Sequence, residues 1–155
     1  MRRLMTVALA LAGLFGVMTA AAAQSAHTPD QAKAFVEKAA SYLQAQGKEK
    51  ALAVFSDPKG EFVDGDLYLF AMDASDGKLT MLAHGVNKAL IGKPQIDVKD
   101  AEGKTFNRDM VAMLSKADNG WMTYSWPNPA TKKIGVKKSY VAKIGDVIIG
   151  AGVYN

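Results

Sequence analysis

Two spacings of apolar residues divide this sequence. Over residues 29–46 the apolar positions recur at helical intervals: Ala32, Phe35, Val36, Ala39 and Leu43 form one stripe, with Lys33, Glu37, Lys38, Gln44 and Gln46 facing away. The start signals are dense. Thr28 stands where a cap belongs, Pro29 takes the first helical position, and Gln31 follows the cap by three residues. Gly47 ends this helix, and residues 48–55 predict a second, short one with Ala51, Leu52 and Phe55 inward. Asp57, Pro58, Lys59 and Gly60 then turn the chain.

Beyond this turn the period changes to two. Residues 66–72 are apolar on both faces and predict a strand central in its sheet. DASDGK at 73–78 predicts a hairpin turn with Gly77 at positive φ, and residues 79–83 return as a second strand before His84 and Gly85. Residues 86–100 carry no clear period. DAEGK at 100–104 is another turn, after which Thr105 can cap a helix to about Ala117. Phe106, Met110, Met113, Leu114 and Ala117 share one face of it, and the two methionines read as core filler.

The last third is strand-like. In residues 121–126, Trp121, Thr123 and Ser125 point one way and Met122, Tyr124 and Trp126 the other. Pro127 and Pro129, with Asn128 and Thr131, supply a turn; residues 136–144 return, and residues 146–154 form a final strand apolar on both faces. Strands joined by hairpins with helices packed on them give an α+β fold around an antiparallel sheet. No internal repeat or domain boundary interrupts it.

The first residues do not belong to that pattern. Arg2 and Arg3 precede an apolar run over residues 4–17, and Ala21, Ala22 and Ala23 provide small residues for cleavage after Ala23. Residues 1–23 therefore read as a signal peptide and residues 24–155 as one exported domain, periplasmic or secreted; an uncleaved membrane anchor is the alternative reading. This changes the charge argument. Nineteen Lys and Arg against 15 Asp and Glu become 17 against 15 once Arg2 and Arg3 are set aside, a net +2, so nucleic acid is not an expected partner. With no cysteine, an exported domain must be held by packing alone.

No enzyme signature is present: there is no G-x-S-x-G, P-loop or dinucleotide glycine pattern, and no thiol. His27 and His84 are too few for a multi-histidine metal site, and Asp73, Asp76 and Asp100 read as turn acids, so neither metal nor cofactor is expected. Four side chains keep two readings each. His84 either donates to a carboxylate or bonds a nearby carbonyl. Tyr124 and Trp126 are either core or pocket wall. Lys137 is either a solvated charge on the outer face or an inner-face cation that needs an anion.

The order of short motifs adds a resemblance. GDLYLF at 65–70, LAHG at 82–85 with Asn87, LIGK at 90–93, DAEGK at 100–104, GWMTYSWPNP at 120–129, KKSYV at 137–141 and IGAGVY at 149–154 together resemble the single Cache domains of type 2. The resemblance spans roughly residues 32–154. These are extracytoplasmic sensor modules of bacterial chemoreceptors and kinases. It implies a PAS-like sheet of about five strands with a long N-terminal helix along it. It also implies a pocket for a small organic acid such as acetate, propionate, pyruvate or lactate. On that analogy Tyr124 and Trp126 form the wall, Lys137 is the carboxylate partner, and Tyr68, His84 and Tyr140 are further pocket residues. Lys88 departs from the proline the family often carries after Asn87, which predicts a differently shaped loop there. Family receptors continue into a membrane helix and a signalling domain after the last strand. The sequence stops at Asn155, so the expectation is a binding module acting through a membrane receptor or transporter, with a homodimer through the N-terminal helix as a further expectation. The rival expectation is a structural or interaction protein whose pocket is filled and whose N-terminal helix docks a partner or a second copy.

Overall fold

Thr28 closes a capping box. Its Oγ1 accepts from the Gln31 backbone N–H at 3.3 Å while Gln31 Oε1 accepts from the Thr28 N–H at 2.7 Å, which satisfies two donors at the start of α1 (Pro29–Gln46). The computed structural model describes residues 27–155, so the signal-peptide reading lies outside the described residues. Ala32, Val36, Ala39 and Leu43 are buried, as their spacing predicts, and Gly47 at φ +81° breaks the helix before α2 (Lys48–Phe55).

The sheet has five strands in the order β4 (Met81–His84), β3 (Phe70–Asp73), β7 (Val147–Tyr154), β6 (Ile134–Ile144), β5 (Asn119–Pro127), every neighbouring pair antiparallel. All eight residues of central β7 are buried. The α+β sheet expected from the sequence is therefore present. The helix α1 packs on β6 and β7. Beneath it a core forms from Val36, Phe55, Phe62, Leu69, Ile149 and Val153, among others, each full burial contributing about 1.5–3 kcal/mol. On the opposite face Phe70, Met72, Met81, Val141 and Ile148 meet Met110 and Leu114 of α3 (Phe106–Leu114).

Several expectations need correction. The strand expected over residues 66–72 is broken. Leu67–Tyr68 (β2) pairs with Val63–Asp64 (β1) around Gly65 at φ +61°, and only from Phe70 does the chain join the main sheet, next to its centre. At the break, the Leu69 N–H bonds the Phe62 carbonyl at 3.2 Å and the Leu69 carbonyl accepts from Gly85 at 2.9 Å. The return strand begins at Met81, because Leu79 takes φ +52°. Helix α3 stops at Leu114 instead of Ala117, and Thr105 holds its cap position without a side-chain bond. Lys88 opens a short 3-10 turn whose Ala89 N–H bonds Asn87 Oδ1 at 3.1 Å.

The site-facing side of β7 is shaped by two glycines. A Cβ at Gly150 would overlap the Phe70 ring and stand 2.9 Å from Val141. One at Gly152 would overlap Ser139 Oγ and stand 2.6 Å from the Lys138 carbonyl. Their absent side chains leave the room that Phe70 and Ser139 occupy.

Candidate functional site

The β5–β6 register sets Tyr124 opposite Lys137 and Met122 opposite Ser139, so strand alternation directs all four to the α3 side of the sheet. There Met122, Tyr124 and Lys137 meet Phe70 and Met72 from β3, Met81 and His84 from β4, and Phe106 and Asn107 from α3 around a cavity of about 30 Å³, with Tyr68, Gln95 and Trp126 completing the wall. At about 10–15 Å³ per water-sized group, that volume holds a ligand of very few heavy atoms. Tyr68, His84 and Trp126 also line a wider, open depression of about 480 Å³, placing these three between cavity and exterior.

Lys137 is 1% exposed. Its ammonium stands 3.7 Å from the centre of the Tyr68 ring, 5.2 Å from Tyr154 and 5.7 Å from Phe70, a cage of negative ring faces. Among the described residues no carboxylate comes within ion-pair distance of it. Burial lowers its pKa to about 7, with the more distant charge of Asp66 opposing that shift.

Around it the hydrogen-bond directions are set by obligate partners. Tyr154 donates to the Pro127 carbonyl at 2.9 Å, which leaves its oxygen to accept from the Tyr68 hydroxyl at 3.2 Å. Burial, and then Tyr154, push the Tyr68 pKa well above its ordinary value, so it stays a neutral donor. His84 Nδ1 faces two backbone N–H groups, those of Asn87 at 3.1 Å and Val86 at 3.4 Å. Backbone amides only donate, so Nδ1 is the acceptor and the ring proton sits on Nε2. Burial first, and the Lys137 charge second, lower the His84 pKa to about 3 and keep the ring neutral. The two readings of His84 resolve into an acceptor for amides on one side and an available N–H on the other.

Tyr124 is packed by Phe106, whose ring lies parallel at 4.2 Å, and by Trp126 edge-on at 6.1 Å; its hydroxyl is 3.0 Å from Ser139 Oγ. Thus Tyr68, His84, Tyr124, Trp126 and Lys137 come together around one space. Tyr140 does not. It lies three residues from Lys137 and therefore on the other side of β6, where it packs with Trp121 at 5.1 Å in the core under α1. Sequence reasoning also missed Phe70, Met72, Met81, Met122, Phe106, Gln95 and Asn107 as wall residues. The available signal was parity: Phe70 and Met72 alternate with Ala71, and Met122 shares the Tyr124 face. Gln95 lies in a segment without periodicity and carried no signal. The methionines of α3 are packing groups, Met110 buried and Met113 partly so. Among the described residues no group of three or more His, Cys, Asp or Glu side chains is placed to hold a metal ion.

Comparison with known proteins agrees with this architecture. The family described as Single Cache domain 2 matches residues 5–155. The chain is 33% identical over 76 residues to the methyl-accepting chemotaxis protein McpP of Pseudomonas putida, a match covering 48% of this chain and 14% of that protein. A methyl-accepting chemotaxis protein of Vibrio parahaemolyticus is similar in structure, with a TM-score of 0.68 at 22% identity over 81% of this chain and 86% of that one. So is a periplasmic sensor domain of a chemotaxis protein, at TM-score 0.62 and 22% identity over 81% and 88%. A third is a Cache chemosensory domain solved as a structural basis for carboxylic acid recognition, at TM-score 0.61 and 24% identity over 81% and 86%. With its sheet, its long first helix and a family match across most of its length, this chain belongs to the single Cache domain 2 family.

Proposed function

We propose that this chain is an exported sensor module that binds a small organic acid as its carboxylate and acts through a partner protein, a membrane receptor or transporter. The observation that carries this reading is Lys137: a buried cation with no carboxylate partner among the described residues, opening on a cavity also lined by the neutral His84 and Tyr124. A carboxylate would complete the pair with charge-assisted hydrogen bonds from Lys137, His84 Nε2 and the Tyr124 hydroxyl. The small volume restricts the ligand to short acids, and acetate, propionate, pyruvate or lactate would enter as the flexible Met72, Met81 and Met122 move aside. The carboxylic acid recognition described for a similar Cache domain supports the same ligand class.

Purification under native conditions followed by mass spectrometry of released small molecules tests this, together with thermal melts in those four acids. A carboxylic acid released in proportion to protein is expected, or a melting temperature raised by the equivalent of about 2.7 kcal/mol at a hundredfold excess over Kd. An empty protein that no acid stabilises would contradict it.

A further inference from the structure

The cavity has a second polar end that a plain alkanoate leaves unused. Gln95 and Asn107, 2% and 4% exposed, line it beside walls of methionine and phenylalanine. Each carboxamide is oriented by a backbone carbonyl: Asn107 Nδ2 donates to the Gln95 carbonyl at 2.8 Å, and Gln95 Nε2 donates to the Lys93 carbonyl at 3.0 Å. Because only the NH2 can donate there, the two amide oxygens are assigned by chemistry, and neither has a hydrogen-bond partner among the described residues. Among those residues no side-chain nitrogen or oxygen is both fully buried and unpartnered, so both oxygens reach open space, and the cavity is the space these side chains line. Acceptors that keep no protein partner where their residues line a cavity can take a donor from a ligand held there.

On the carboxylate reading above, we propose that Asn107 and Gln95 select hydroxy acids over unsubstituted acids, one amide oxygen accepting the ligand's hydroxyl proton while a carboxamide N–H donates to the hydroxyl oxygen. The carboxylate lies at the Lys137 end and the hydroxyl at the amide end. A hydroxyl suits the site because it donates to an amide oxygen and still accepts from the second N–H that each carboxamide retains. An acid without it would displace water from the amide that the hydroxyl would bond and return nothing, which is how a polar site rejects an analogue lacking the matching group.

Calorimetric titration with three acids of one carbon skeleton tests this: propionate, 2-hydroxypropionate and 2-fluoropropionate. The hydroxy acid is expected to bind about tenfold tighter than the other two, since fluorine matches the substituent's bulk without donating. The Asn107→Leu variant should bring the three affinities together, whatever their common level. Gln95→Met gives the same comparison if Asn107→Leu fails to fold. Equal binding of propionate and the hydroxy acid by the unaltered protein would overturn the selection and leave carboxylate binding standing. Binding of none of the three, with no acid released from native protein, would overturn both.

Discussion

Lys137 Nζ lies 3.7 Å from the centre of the Tyr68 ring, although the two residues come from separate sheets, β6 of the main sheet and β2 of the small hairpin. The chain break at Leu69 makes this possible. By leaving the main sheet before Phe70, the hairpin folds the Tyr68 ring over the ammonium, and its hydroxyl is tied through Tyr154 to the end of β5 at Pro127. The aromatic cage substitutes in part for water around a charge that has no carboxylate within ion-pair distance among the described residues.

Binding of a carboxylate should depend on pH through Lys137. Its lowered pKa, about 7, means the empty site loses its charge as pH rises past neutrality, and a bound anion restores it by favouring the protonated form. Affinity is expected to be level between about pH 5.5 and 6.5 and to fall roughly tenfold per unit above about pH 7.5. His84, with a pKa of about 3, stays neutral throughout that range and adds no step. Calorimetry at pH 8 in buffers of different ionisation heat should show proton uptake on binding. Constant affinity from pH 6 to 9 would exclude Lys137 as the anion's partner.

His84→Phe should affect both fold and site. The Val86 and Asn87 N–H groups lose their acceptor, which costs about 1–3 kcal/mol in urea denaturation, and acid binding weakens about tenfold through loss of the Nε2 donor. Unchanged affinity would remove His84 from the ligand's partners and leave it the amide-bonding role alone.

Gly152→Ala places a methyl group against the Lys138 carbonyl and the Ser139 Cα, both backbone atoms that no rotamer change can move. A loss of about 2–3 kcal/mol in thermal or urea unfolding is expected. Acid binding should weaken as well, because Ser139 stands under the Tyr124 hydroxyl and Lys137 is two residues away on the same strand. A variant as stable as the parent would mean that β6 and β7 can separate here.

How far the sequence reveals this site depends on which forces act locally. The first helix is legible in full, since its cap, proline and apolar stripe all act within a few residues. So is the Met122, Tyr124, Trp126 face, which follows from alternation alone. Lys137 was legible as a residue but not as a position: adjacent Lys137 and Lys138 must face opposite ways, and only the register with β5 decides which goes in. Lys138 is the one that lies over Trp121 at 5.1 Å on the other face. The resemblance implies a pocket role for Tyr140, whereas its parity with Lys137 puts it on the other face of β6. Gln95 and Asn107 meet through a tertiary hydrogen bond that no local pattern encodes.

The central claim is that Lys137 is a buried cation kept for a carboxylate, and titration of Lys137→Met against the parent with acetate, propionate, pyruvate and lactate tests it most directly. Methionine is unbranched and only one heavy atom shorter, and it removes the charge, so the unliganded variant should melt no lower than the parent. Binding of whichever acid the parent takes should weaken at least about a hundredfold, and the fall in affinity above neutral pH should disappear with it. A folded Lys137→Met protein that binds the same acid within about threefold of the parent would contradict the claim.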